Sequence, residues 1–298
     1  MTPTLSLTGV TRRYRDQLAL DDVSFEIEGA SIMGLLGRNG AGKTTLMRII
    51  AAQEFASAGG VRVLGQSPLE SEAVLQRLVL VREDQRFPAL RVRHVLQAAS
   101  WFHPNWSAEF AAALLVDFDL PLNRMVSGLS RGMHSALGIV IGLACRAEVT
   151  LFDEPYAGLD AVARQIFYDR LLADFAEHPR TVIVSTHLID EAADLLERVL
   201  VIDRGRIVLD ATADDLRGAA TRVSGPAPAV DEFVAGRKIW DRRSAGSQAS
   251  VVVAGALVDD DRAKARQLNL TLASMSLQQL VAHAPGQATE ALKEDARP

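Results

Sequence analysis

Residues Gly37-Arg38-Asn39-Gly40-Ala41-Gly42-Lys43-Thr44-Thr45 follow the spacing G-x-x-x-x-G-K-[ST]. Glycine has no Cβ and tolerates unusual φ, so such a backbone can wrap closely around phosphate oxygens. The N–H groups of the loop, with those of a helix start behind it, would point at the anion. Lys43 would reach the β- and γ-phosphates, and the Thr44 hydroxyl would bind Mg2+.

Two further places carry chemistry. Asp153 and Glu154 close the short run Val149-Thr150-Leu151-Phe152, which has the composition of a buried strand. In nucleotide hydrolases an Asp at such a place holds Mg2+, often through water, and an adjacent Glu can polarise the attacking water. Neighbouring side chains on a strand point to opposite faces, so two carboxylates suit two roles. His187 stands just beyond a second buried run, Thr181-Val182-Ile183-Val184-Ser185. Beside a phosphate loop an imidazole can contact the γ-phosphate or orient water.

These residues need elements to hold them. Ile32-Met33-Gly34-Leu35-Leu36 leads into the loop as a strand, and Leu46, Ile49 and Ile50 follow it at helical spacing. Leu5 and Leu7, then Val23, Phe25 and Ile27, alternate with polar residues as half-exposed strands do. A helix is expected over Leu69–Arg77 and a buried strand over Leu78–Val81. From about 88 to 146 helical periodicity takes over, punctuated by Pro88, Pro104 and Pro121. That segment reads as a helical subdomain inserted into an α/β domain. After it, strands and helices alternate to about residue 211, which argues for a mostly parallel sheet covered on both faces. Ligands of such sheets sit beyond the carboxyl ends of strands, where all three polar clusters fall.

Beyond Ala211 the composition shifts to Ala, Gly, Ser and Pro, with Gly225-Pro226-Ala227-Pro228 read as a turn or short linker. A small α+β domain is expected over 212–285 and a disordered tail over 286–298. With 298 residues, 48% hydrophobic and 23% charged, the chain has room for one or two domains. A net charge of −5 gives no sign of a nucleic-acid partner. Cys145 is the sole cysteine, so no intramolecular disulfide can form, and its apolar neighbours mark it as a structural thiol. No run of 18 apolar residues occurs, so no transmembrane helix is expected, and the N-terminus does not read as a signal peptide.

Over about residues 4–211 the chain resembles the ATP-binding subunit of an ABC transporter, of the bacterial antibiotic-resistance exporter type. The motifs occur in that family's order. Gly37, Arg38, Asn39, Gly40, Ala41, Gly42, Lys43, Thr44 and Thr45 match its Walker A loop, and Val149–Asp153 its Walker B strand. Glu154 falls at the place of its catalytic glutamate, and His187 at that of its switch histidine. Ala157-Gly158-Leu159-Asp160 resembles the D-loop, and Tyr14 the aromatic that stacks on adenine. Leu129-Ser130-Arg131-Gly132-Met133 resembles the LSGGQ signature, with Ser130 and Gly132 matching and Arg131 and Met133 replacing Gly and Gln. Arg131 would add positive charge near phosphate or face solvent. At the glutamine loop, alignment from Leu78–Val81 puts Glu83 at the family position and Gln85 two residues later. One of the two is expected near Mg2+ and the permease contact, with Gln85 carried as the candidate metal-side residue.

The resemblance implies a P-loop NTPase of ABC type with a mostly parallel core sheet, an antiparallel β subdomain, the inserted helical subdomain and a small C-terminal α+β appendage. It implies ATP as substrate and Mg2+ as cofactor. Catalysis would rest on Glu154 and His187, and nucleotide contacts on Tyr14, the loop, and Ser130, Gly132 and Asp160. Thr44 and Asp153 would hold the metal. Two copies, or one copy and a paralogous ATP-binding subunit, would close head to tail, with Ser130 of one facing the γ-phosphate held by the other. The partner would be an integral membrane permease, and the location cytoplasmic, peripheral at the inner face of the cell membrane. The competing reading is a soluble ABC-type regulatory or repair ATPase without a permease. Against it, only about ninety residues separate the loop from the Ser130 segment, and they contain no heptads.

Overall fold

Alternation of apolar and polar side chains builds the first two strands. β1 (Leu5–Tyr14) and β2 (Gln17–Ile27) pair antiparallel, with Leu5 opposite Ile27 and Leu7 opposite Phe25. Their apolar side chains are buried and many of the polar ones face out. β3 (Ser31–Leu36) is different: every residue from Ile32 to Leu36 is buried, as in a strand covered on both faces. α1 (Lys43–Ile50) starts directly from the glycine-rich loop and buries Leu46, Met47, Ile49 and Ile50. β4 (Ala58–Val63) then returns to β1, giving an antiparallel sheet of order β2-β1-β4. This computed structural model describes residues 2–283.

The helix expected over Leu69–Arg77 is reduced to a single turn, α2 (Glu72–Leu75), because Glu70 takes φ 54, outside the helical region. β5 (Leu78–Arg82) follows. The next segment is helical: α3 (Val92–Phe102), α4 (Ala108–Asp117) and α5 (Arg131–Ala144). Pro104 and Pro121 fall in the connections, where a missing N–H costs nothing. β6 (Val149–Asp153), α6 (Ala161–Glu177) and β7 (Thr181–Thr186) complete the parallel core.

Four strands of that core lie in the order β5-β6-β7-β3. Their parallel register puts Leu80 beside Leu151, Leu151 beside Ile183, and Ile183 beside Met33. The carboxyl ends are therefore level, with Arg82 beside Asp153, Asp153 beside Ser185, and Leu36 beside Thr186. Each fully buried Leu, Ile or Phe in these strands stabilises the fold by about 1.5–3 kcal/mol. That burial fixes the register, since a one-residue slip would turn the apolar set to the wrong face.

α7 (Ile189–Ala192), β8 (Arg198–Asp203) and β9 (Arg206–Thr212) come next. By its contacts the chain divides into two units. The first runs to His187 and includes 194–196 and 202–207. The second comprises 188–193, 197–201 and the residues from 208 on, so the division cuts β8 and β9.

The second unit continues with α8 (Ala213–Gly218), β10 (Ala220–Pro226), α9 (Ala227–Val234), β11 (Ile239–Ala245), β12 (Gln248–Ala254), α10 (Asp259–Gln267), β13 (Thr271–Ser274) and α11 (Leu277–His283). Its antiparallel sheet has the order β11-β12-β10-β13, and β10 to β13 with α9 and α10 follow the βαββαβ succession of ferredoxin-like folds. Val223, Phe233, Val251 and Val253 centre its core. The expected turn at Gly225–Pro228 is instead the junction of β10 and α9. Pro226 lies beyond the stretch that β13 pairs, and Pro228 sits in the first turn of α9, where its missing N–H is an orphan anyway. The tail expected over 286–298 lies outside the described residues.

Candidate active site

The loop from Gly37 to Gly42 takes its path because two of its glycines cannot be replaced without collision. A Cβ on Gly37 would lie 2.3 Å from the carbonyl oxygen of Ile202, and one on Gly42 2.7 Å from that of Ala19. Gly42 also has φ 115, a region L side chains rarely adopt. It is the N-cap of α1 and offers no side chain to the first N–H groups of the helix, which are left for another acceptor. Lys43 is 7% exposed, and its Nζ donates to Gly37 O at 2.7 Å. Burial lowers the pKa of the Lys43 ammonium, and the Glu154 and Asp153 charges oppose that shift.

A cleft of about 450 Å³ opens over this loop. It is lined by Tyr14, Gln17 and Ala19, by Arg38, Asn39, Gly40, Gly42, Lys43, Thr44 and Thr45, and by Glu83 and Glu154. Tyr14, at the end of β1, carries the Arg12 guanidinium over its ring, 4.5 Å from the centroid, and donates to Glu54. Arg12 is paired with the same carboxylate at 2.9 Å.

The level ends of β6 and β7 bring the acids and the histidine together; Glu154 lines the cleft, while Asp153 and His187 stand behind its wall. Asp153 is buried, and its Oδ1 accepts from Ser185 Oγ at 2.6 Å. Glu154 takes φ 48, uncommon for a residue with a Cβ, and its N–H donates to Ser185 Oγ at 3.1 Å. Its Oε2 accepts from the Tyr156 hydroxyl at 2.8 Å and lies 2.7 Å from His187 Nδ1. Its Oε1 is buried without a hydrogen-bond partner, 3.9 Å from Lys43 Nζ. Burial, then the Glu154 charge, push the Tyr156 phenol far up, so it stays a donor.

Tyr156 is the functional neighbour that sequence reading missed. It lies between Pro155 and Ala157 without periodic signal, and its contacts, Glu154 and Thr186, meet only once β6 and β7 are in register.

Ser130, Gly132 and Asp160 do not line this cleft. They form a second cluster at the start of α5. Ser130 caps that helix, its Oγ accepting from Met133 N at 3.2 Å. A Cβ on Gly132 would lie 2.6 Å from Gly158 O, so the helix start packs directly on the 157–159 loop. Ser135 Oγ donates to Ala157 O at 2.6 Å, and Asp160 caps α6 by accepting from Ala163 N at 2.8 Å. Arg131 is exposed and ion-paired with Glu83. Of the two glutamine-loop candidates, Glu83 lines the cleft and Gln85 does not. Gln85 Oε1 accepts from Arg82 N at 3.2 Å, and its amide rests against α5 in space left open by Gly138. Cys145 is buried, and burial pushes its thiol up to about 11, which keeps it unreactive.

Among the described residues no cluster of three or more His, Cys, Asp or Glu could hold a metal ion unaided. Mg2+ keeps several waters and is held by one or two carboxylates with substrate phosphates. Thr44 and Asp153 supply hard oxygen donors of that kind. The close-packed glycine cradle and the buried lysine fit a triphosphate. Among the described residues no helix is long and apolar enough to cross a membrane.

Known proteins give the same picture. The family described as ABC transporter matches residues 20–157. The chain is 33% identical over 207 residues to the aliphatic sulfonates import ATP-binding protein SsuB 1 of Nocardia farcinica, covering 69% of this chain and 80% of that protein. It is 34% identical over 223 residues to the doxorubicin resistance ATP-binding protein DrrA of Mycobacterium tuberculosis, covering 72% and 67%. A solved ATP-binding subunit of an ABC transporter superposes with a TM-score of 0.66 at 25% identity, covering 72% of this chain and 92% of that one.

Proposed function

From the premise that this chain belongs to the ABC transporter family of ATP-binding subunits, ATPases by family, we propose that it powers a separate membrane permease, in the direction of export. The observation that carries the hydrolytic part is the Glu154 carboxylate. It is anchored at one oxygen by Tyr156 and His187 and leaves the other unpartnered beside Lys43. A base placed so can take a proton from water in line with a bound γ-phosphate.

The other roles follow from position. The glycine-rich loop and Lys43 bind the phosphates, and Tyr14 offers a ring face to the base, with Arg12 stacked on the ring. His187 orients Glu154 and the water. Bound Mg2+, held by Thr44 and Asp153, would neutralise charge on the β- and γ-oxygens. Ser130, Gly132 and Asp160 stand off the cleft of their own chain. They are free to complete the site of a second copy or of a paralogous subunit, with Ser130 at a helix N-terminus suited to an anion. Residues 1–211 form the ATP-binding domain and 212–285 a separate C-terminal domain, a division that the self-contained core around Phe233 supports.

Export is supported by the Glu83-Asp84-Gln85 segment and by similarity to a protein named for doxorubicin resistance. Similarity to an import subunit of comparable identity weighs on the other side. The working place is the cytoplasm, at the inner face of the cell membrane through the permease, as the family resemblance implies. The test is Glu154→Gln. It removes the base and keeps the shape, so Mg-ATP binding should persist while phosphate release falls by about a hundredfold or more. Near-normal release would sink the assignment.

A further inference from the structure

Glu154 is fixed asymmetrically. A carboxylate has about four lone-pair sites over two equivalent oxygens. Here the donors gather on one of them: Tyr156 Oη at 2.8 Å and His187 Nδ1 at 2.7 Å both meet Oε2. Oε1 receives none, and Lys43 Nζ stands 3.9 Å from it. The asymmetry belongs to the surroundings. His187 is 60% exposed at its side chain, so it alone is a loose anchor. Tyr156 is 4% exposed, and its hydroxyl also touches Thr186 Oγ1 on β7. The buried ring has one place to be, and that place delivers its proton to Oε2.

The geometry points to Tyr156 as a positioning residue for the hydrolysis proposed above, on which this inference rests. By occupying Oε2 it stops the terminal torsion of Glu154, otherwise broad and two-fold, from exchanging the two oxygens. Oε1 is thereby committed as the base. In the step, the water oxygen bonds to the γ-phosphorus while a water proton passes to Oε1. The bond from that phosphorus to the bridging oxygen breaks, and its electron pair stays on the ADP that leaves. Tyr156 does not line the cleft. It sets which oxygen faces water and nucleotide.

Tyr156→Phe tests this, because the ring keeps its volume and loses only the donor. The full-length chain is assayed at concentrations where it turns over Mg-ATP. The variant's kcat should fall by about ten- to a hundredfold, the worth of one hydrogen bond to a charged group. KM for Mg-ATP, affinity for nucleotide and Tm should stay as in the wild type. In the Glu154→Gln background the same change should cost nothing further, since the group it positions is gone. A kcat within twofold of wild type overturns the inference, as does a loss of kcat matched by losses of nucleotide affinity or Tm. If Glu154→Gln itself turns over normally, the hydrolytic reading fails, and that result is distinct from a silent Tyr156→Phe beside an inactive Glu154→Gln.

Discussion

Arg131, the first residue of α5, is ion-paired with Glu83, the residue that carries β5 into the cleft. Both stand where the resembled family has something else, glycine at the first place and glutamine at the second. The two departures meet in space although 48 positions separate them. Both side chains are exposed, so the pair contributes only about 0–1 kcal/mol to stability. Its importance lies in joining the cleft to the start of the helix that bears Ser130.

A double-mutant cycle measures that joining. Glu83→Gln and Arg131→Gly should each alter ATP turnover severalfold with little change in Tm. The double variant should lie closer to wild type than the sum of the singles. Strict additivity of the two effects on turnover would show the pair to be idle.

Gly42→Ala should abolish the phosphate cradle. Its new Cβ would collide with the Ala19 carbonyl at 2.7 Å and with Leu20 at 2.8 Å, at a φ of 115. Strain of this kind costs about 1–3 kcal/mol. Thermal melting should record that loss, and fluorescent-nucleotide titration should show binding weakened at least tenfold. Gly40→Ala, at a position with nothing within 4 Å of the added Cβ but φ 79, should cost less.

Acid should weaken the helical segment through His103. Its Nδ1 lies 3.1 Å from Gln76 O, and burial lowers its pKa below 6.5, more than the hydrogen bond to Gln76 raises it. The neutral ring is thus the form the fold prefers. Its contribution is fully present above pH 6.5 and is lost as pH falls through the lowered folded value. Melting temperatures from pH 7.5 to 5 should decline, and His103→Asn should flatten part of that decline. An identical slope in the variant would assign the acid sensitivity elsewhere; His134, also shifted down by burial, is the next place to look.

Detergent-solubilised membranes from cells expressing a tagged chain should yield an integral membrane protein with it, and the complex should hydrolyse ATP faster than the chain alone. Recovery with ribosomes or DNA instead would favour a regulatory or repair ATPase.

The sequence made the loop, Asp153, Glu154 and His187 readable because each ends or follows an apolar run, and a run of that kind has few structural meanings. It also showed the helical stretch between β5 and β6. What it hid depends on distance along the chain. Tyr156 meets Thr186 only when β6 lies beside β7, and Arg131 finds Glu83 only when α5 stands over the end of β5. In the second unit β10 and β13 leave little local signal. Ala220–Pro226 ends in Gly-Pro, a sequence that usually breaks structure, and Thr271–Ser274 is too short to show alternation. Local backbone shape was equally unreadable: nothing in the residue type of Glu70 or Glu154 announces a positive φ.

The level ends of β3, β5, β6 and β7 make the spacing of the reactive groups a property of the interior rather than of the surface. Asp153 is the last residue of β6, and Glu154 follows it at φ 48, just beyond the strand. With the register held, inserting a single residue anywhere in Val149–Phe152 would move Asp153 into the place of Glu154 and Glu154 into that of Pro155, and would leave Phe152 where the buried acid now stands. The packed leucines and isoleucines far below the cleft act as its ruler. A core substitution that shifted one strand by one notch would silence the enzyme while every reactive residue remained in the chain.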